Sequence, residues 1–167
     1  MSRGWWDTKM TTLSARAQSS GTDESEIRSL YTRLMNGWNL GSGEAFAAPF
    51  DDDADLVAFD GTHFKGREQI ALFHQEAFNM FLKGTRLVGK VRSVKFLRQE
   101  IAVMHTVGGT IMAGKMDIEP ERNSVQTIVV AKRGGKWSMV AFQNTRATYV
   151  IPTGQGGGLT EELRKLL

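Results

Sequence analysis

The stretch Ile101-Ala102-Val103-Met104-His105-Thr106-Val107-Gly108-Gly109-Thr110-Ile111 decides how the chain is read. Its alternate positions Ile101, Val103, His105, Val107, Gly109 and Ile111 form one face that is apolar apart from His105 and Gly109, which predicts a long β-strand. Gly108-Gly109 in mid-strand predicts a bulge or bend of the kind a strongly curved sheet needs. Between Val88 and Arg146 three more segments read as strands: one carrying Lys90, Arg92, Lys95 and Arg98, one at 124–133 and one at 136–147. Gly134-Gly135 joins the last two as a hairpin dipeptide. Lys115 to Asn123 is charged, contains Pro120 and lacks periodicity, which predicts a mobile hairpin loop.

Upstream of these strands the period changes to that of helices. Asp23 with Glu26 resembles a capping box, and Ile27, Leu30, Tyr31, Leu34, Met35 and Trp38 then recur at spacings of three and four. Gly41 closes that helix, and a shorter one follows Ser42, burying Phe46 and stopping before Pro49. Asp51-Asp52-Asp53 reads as a solvated turn, Leu56 to Phe59 as a short buried strand, Asp60-Gly61-Thr62 as a hairpin turn and His63-Phe64-Lys65 as the returning strand. A further long helix carries Ile70, Phe73, Ala77, Phe78, Phe81 and Leu82 on one stripe, with His74 at its edge, and ends at Lys83-Gly84. Helices followed by antiparallel strands predict an α+β fold, a curved sheet wrapped on N-terminal helices with a pocket between them.

Composition narrows the function classes. A chain of 167 residues with 41% hydrophobic and 23% charged residues suits one domain with a sizeable core. With no cysteine, disulfides, thiolate metal sites and cysteine nucleophiles are excluded. A net charge of +3 from scattered Lys and Arg gives no concentrated basic footprint, so no nucleic-acid partner is expected. Residues 1–21 have no apolar core of signal-peptide length and nowhere do about 18 apolar residues run together, so neither a signal peptide nor a membrane partner is expected, and the expected location is cytoplasmic. Residues 1–21 read as a loose arm that includes Trp5-Trp6, residues 22–148 as the α+β barrel domain, and residues 149–167 as a Gly-rich linker and short C-terminal helix.

The polar residues allow several chemistries. Asp60 follows an apolar strand; burial in an apolar cavity would raise its pKa towards neutrality and make it a base or acid, whereas Asp-Gly also fixes a turn through its own backbone. His105 sits on the face expected to line the cavity, as an acid, base or donor to a ligand, or as a satisfied core histidine. Alternation puts Gln143 on the face of Trp137, Met139 and Ala141, and Asn144 and Arg146 on that of Val140 and Phe142. Gln126 with Gln143 would suit a ligand carbonyl, or all three amides bridge strands or subunits. No pair of histidines has the spacing of a metal site, and no metal is expected. Gly109 to Met116 matches a phosphate loop except that Met116 replaces Ser or Thr, and no helix follows it.

Taken together, the runs Leu56 to Arg67, Gly84 to Gly89, Ala102 to His105, Gly108 to Thr110 and Ala141 to Arg146 resemble the SgcJ/EcaC group. This group is a SnoaL-like branch of the nuclear-transport-factor-two-like superfamily, and the similarity covers about residues 23–147. The resemblance implies a cone-shaped, cystatin-like α+β barrel, an internal cavity, a homodimer through the sheet and a place in polyketide or enediyne biosynthesis. It puts Asp60 roughly where the general base of ketosteroid isomerase falls, but no acid stands on the later strands to match that enzyme's protonated partner. The leading expectation is a hydrophobic, oxygenated small-molecule ligand, with cofactor-free isomerisation, cyclisation or hydration as its chemistry. Asp60 and His105 would be the acid/base pair; Gln126, Gln143 and Asn144 would position carbonyls, and Trp38, Phe59, Phe64, Phe73 and Phe142 would form the apolar wall. The alternatives are a non-catalytic carrier and a dimeric oligomerisation module.

Overall fold

The computed structural model describes residues 4–149 and 155–167, with the side chains of 21–149 and 158–167. Trp5-Trp6 therefore lies outside the residues whose side chains are described. In chain order the elements are α1 (Gly4–Asn39), α2 (Gly43–Ala47), β1 (Phe50–Val57), β2 (His63–Lys65), α3 (Gly66–Asn79), β3 (Arg86–Arg98), β4 (Ile101–Ile111), β5 (Ile118–Arg133), β6 (Lys136–Arg146) and α4 (Gln155–Arg164). The strands form one sheet in the order β2-β1-β6-β5-β4-β3, antiparallel throughout except for the parallel pair of β1 and β6. The sheet is mixed and not closed, a curved α+β cone.

The apolar stripe of α1 places it in the concave face. Ile27, Leu30, Tyr31 and Leu34 are all but inaccessible to solvent. Burying each such side chain stabilises by about 1.5–3 kcal/mol, more than the propensity differences of up to about 0.7 kcal/mol between ordinary helix residues. Packing thus fixes where α1 lies. Its start differs from the sequence reading, because α1 runs through Asp23 rather than being capped there. The Asp23 carboxylate instead accepts from Lys132 Nζ at 2.6 Å and Trp137 Nε1 at 3.0 Å, tying α1 to the β5–β6 hairpin. These two bonds hold its pKa below the usual carboxylate range.

Two facing glycines let α1 come this close. Gly89 and Gly108 are register partners on β3 and β4. A Cβ on Gly89 would stand 2.7 Å from the Tyr31 hydroxyl and 2.4 Å from the Val107 carbonyl oxygen, and one on Gly108 would stand 3.0 Å from the same hydroxyl. The phenol therefore occupies space that only glycine leaves open.

Several local expectations change. Asp51 and Asp53 lie in β1, not in a free turn: Asp51 accepts from Ser138 Oγ at 2.7 Å, and both carboxylates bind Arg133. The stretch read as a loop from Lys115 to Asn123 becomes strand at Ile118, because Ile118 pairs with Ile111 and is buried. Pro120 is tolerated there because the β4–β5 register is irregular opposite Gly109, between Gly108↔Ser124 and Thr110↔Glu119, where no ladder hydrogen bond is needed. This irregularity is the bend that Gly108-Gly109 predicts. α3 ends at Asn79, before Lys83-Gly84, and turns carry the chain on to Gly84 at φ +72°.

The stretch after Gly154, read as linker and short helix, is helical from Gln155 and lies against the outer face of the sheet. Leu159 and Leu163 are buried with Val107, Ile111 and Ile118, and Glu162 pairs with Lys90 at 2.9 Å and with Arg92. These cations, Arg92 foremost, hold the Glu162 carboxyl down at about 2.

Candidate functional site

A cavity of about 190 Å³ lies between α1, α3 and the concave face of the sheet. The stripes that bury α1 and α3 also build its wall, from Leu34 and Trp38 on one and Phe73 and His74 on the other. Phe46 and Phe142 add aromatic surface, and the β1–β2 turn brings Phe59 and Asp60 to the mouth. Trp38 is fixed by Nε1–H donation to Thr85 Oγ1 at 3.1 Å and by an edge-on contact with Phe78 at 5.4 Å between ring centroids.

One wall carries a chain of neutral hydrogen bonds. Gln126, buried on β5, is its centre. Thr106 Oγ1 donates to Gln126 Oε1 at 2.6 Å, and the Tyr31 hydroxyl lies 3.3 Å from the same oxygen and 3.2 Å from the Val107 carbonyl. Gln126 Nε2 donates to Ser124 Oγ at 2.6 Å and to Asn144 Oδ1 at 3.1 Å. Every polar site of Gln126 is thereby used within the protein, which holds its amide in one orientation. The Asn144 oxygen is occupied as well, while its Nδ2 makes no hydrogen bond to a described residue. Burial drives the Tyr31 phenol pKa upward, so it stays protonated.

His74 faces this wall from α3. Its Nδ1–H donates to the Ile70 carbonyl at 2.7 Å, since a carbonyl oxygen can only accept, and this fixes the tautomer. The ring stacks on Phe46 at 3.9 Å and meets Phe73 edge-on at 5.3 Å. Burial lowers its pKa to about 4, against the opposing effect of the Ile70 hydrogen bond, so the imidazole is neutral at pH 7. Nε2 then carries a lone pair with no donor among the described residues. It is not sealed in either: among the described residues the one sealed side-chain polar atom lacking a partner is Asn123 Oδ1, beside α4.

The residues named from sequence divide on this geometry. Trp38, Phe59, Asp60, Phe73, Gln126, Phe142 and Asn144 line the cavity. Phe64 does not; it backs Phe73 with ring centroids 4.3 Å apart. His105 is a correction, for it is exposed on the outer face, between Ser93 and Thr127 in register. The cavity side of β4 is instead Ala102, Met104, Thr106 and Gly108, where small or unbranched side chains admit α1 and Tyr31. The β-branched face that looks more core-like in sequence is covered at one end by α4. Gln143 is likewise exposed on the outer face. A bulge in β6 explains it: Val129 pairs with Ala141 but Val130 with Met139, so the extra residue Val140 reverses the alternation between Met139 and Phe142.

Asp60 stands at the mouth as a turn-former, the second of the two readings open to it, and not as a buried acid or base. It is exposed, its Oδ1 accepts from the Thr62 backbone N–H at 3.0 Å, and that bond, with a further one from the Thr62 hydroxyl, holds its pKa below the usual range. It is an ionised turn-former, with no burial to raise it towards neutrality. Asp60 and His105 are not brought together.

His74 and Arg146 were missed as site residues. His74 is legible as a polar residue four positions after the buried Ile70 on a helix stripe, and Arg146 as a residue on the same strand face as Phe142 and Asn144. Arg146 packs its guanidinium 4.0 Å over the Phe59 ring and donates from Nη1 to the Glu121 carbonyl at 2.9 Å.

No family model matches the sequence, and no curated protein matches it. Solved structures do. A domain of unknown function with a cystatin-like fold from Nostoc punctiforme is 36% identical, with a TM-score of 0.75, covering 87% of this chain and 96% of that one. Another cystatin-like protein of unknown function from the same organism is 21% identical with a TM-score of 0.67, over 78% of this chain and 95% of that one. An NTF2-like protein with a cystatin-like fold from Novosphingobium aromaticivorans is 18% identical with a TM-score of 0.69, over 89% and 95% of the two chains. At these lower identities the likeness concerns the fold alone. Among the described residues no helix is long and apolar enough to cross a membrane.

Proposed function

We propose a function from one premise: this chain belongs to the family of the cystatin-like-fold domain from Nostoc punctiforme. Within it, the chain is a small-molecule-binding protein of secondary metabolism whose cavity holds an apolar, oxygenated ligand of polyketide type. The observation that carries this reading is a hollow walled by aromatic rings, with a locked neutral amide network on one side and an unpartnered His74 Nε2 on the other. At about 190 Å³ it falls below the roughly 300–1,000 Å³ of drug-sized sites, which favours a ligand of one or two rings.

Binding rather than acid/base turnover is favoured by the placement of the two candidate groups. His105 lies on the far face of the sheet, and Asp60 is held ionised by Thr62. The chain is accordingly a non-catalytic carrier of its ligand. A homodimer through the outer sheet face belongs to the same reading, supported by the half-buried apolar Val103, Val129 and Ala141 there.

The test is to expose the protein to an extract of its producing cells and identify retained compounds by native mass spectrometry. Ala58→Trp, which fills the cavity, is treated in parallel. A compound kept by the wild type and lost from Ala58→Trp supports the reading; equal retention by both, or none, overturns it.

A further inference from the structure

The mouth of the cavity differs in charge from its interior. The interior holds only neutral groups: Tyr31 and Gln126, Asn144, Ser124 and the neutral His74. Arg122 and Arg146 lie at the edge of the same cavity, and neither has a carboxylate within 4.0 Å among the described residues. Arg122 makes no hydrogen bond with a described residue, whereas Arg146 is aimed and fixed by the Phe59 ring and the Glu121 carbonyl. Arg146 spends one N–H on Glu121, and its remaining donors are open. Among the described residues the one carboxylate lining the cavity, Asp60, is turned into its own loop through Thr62. Two planar guanidinium groups against one engaged carboxylate leave a net positive rim beside an apolar hollow.

From this rim we infer that the ligand of the proposed cavity carries a carboxylate, held at the mouth by Arg146 and Arg122 while its ring body lies among the aromatic side chains. The inference rests on the ligand-binding reading above and adds the class of ligand. Guanidinium suits it because its fork of N–H donors matches the two oxygens of a carboxylate, and a charge-assisted bond of this kind is about twice as strong as a neutral one. The Asn144 Nδ2 donors lie along the same wall and complement either carboxylate oxygen or an adjacent carbonyl. At the opposite wall His74 Nε2 can only accept, so a hydroxyl on the ring body fits there.

Two probes of equal ring size separate the charge from the cavity: 1-naphthoate and the neutral 1-naphthamide, titrated into the full chain by calorimetry. The expected result is naphthoate binding at least tenfold tighter than the amide at low salt, narrowing as salt shortens the screening length. Arg122→Gln/Arg146→Gln should abolish the preference by weakening naphthoate at least tenfold more than naphthamide, and Arg146→Lys should restore it in part. Ala58→Trp should block both probes. Equal binding of the two probes, or a preference that survives the double substitution, overturns the carboxylate inference and leaves the cavity reading standing. Binding of neither probe, or naphthoate binding that persists in Ala58→Trp, overturns the inference together with a cavity open to two-ring ligands.

Discussion

Stability should fall in mild acid through His74, ahead of the carboxylates whose pKa is lowered. The unfolded chain takes up a proton on this imidazole near pH 6.5, while the folded protein resists until about pH 4. Because the folded pKa is the lower one, the contribution is complete above 6.5. It is lost progressively as pH falls towards 4, since only the unfolded state gains the proton in that window. Between pH 8 and pH 5 the loss works out at about 2 kcal/mol, most of it below pH 6.5. The carboxylates with lowered pKa, Asp23, Asp51 and Glu162, enter only below that range, because their unfolded values lie near 4. Urea unfolding at pH 8, 6.5 and 5 should therefore show the wild type losing about 2 kcal/mol more than His74→Phe, a ring that keeps the stack on Phe46 but cannot titrate. If both proteins lose the same amount, His74 is not held neutral by burial and its place in the cavity wall is misjudged.

Other outcomes follow from the packing. Gly89→Ala should destabilise by about 1–3 kcal/mol in thermal or urea unfolding, because its methyl meets backbone and the Tyr31 hydroxyl together. Leu163→Ala should cost about 2–5 kcal/mol if α4 is part of the cooperative fold, and should raise hydrogen exchange along β4 and the start of β5. His105→Ala should change stability by no more than about 0.5 kcal/mol and leave naphthoate titrations unaltered. Gln126→Leu should both destabilise, by leaving Thr106 and Tyr31 without their shared acceptor, and weaken cavity binding in calorimetry.

The fold was largely legible because its signals are local and repeated. The stripe from Ile27 to Leu34, the Gly134-Gly135 hairpin and the Gly108-Gly109 bend each state their structure within a few residues. The site was less legible because it depends on which face of a strand looks inward. On β4 both faces are apolar, and what separates them is α4, which arrives from the far end of the chain to cover Val107 and Ile111. On β6 a single inserted residue, Val140, exchanges Gln143 for Asn144 and Arg146. Period two carries no memory of such an insertion, so the inward-facing Trp137 and Met139 give no sign that Phe142 and Asn144 share their side. Asp60 shows a further limit: its turn role is written in Asp-Gly-Thr, but whether the carboxylate would be buried depended on residues remote in sequence.

The docking of α4 on the convex side of the sheet has a geometric consequence for assembly. With Leu159 and Leu163 seated over Val107, Ile111 and Ile118, that portion of the sheet is already occupied by the chain's own tail. A second copy docking on the same side would meet, among the described residues, uncovered strand surface around Val103, His105, Thr127 and Gln143, which would set its two-fold axis away from α4. In such a pair the tail would be the spacer that sets the offset.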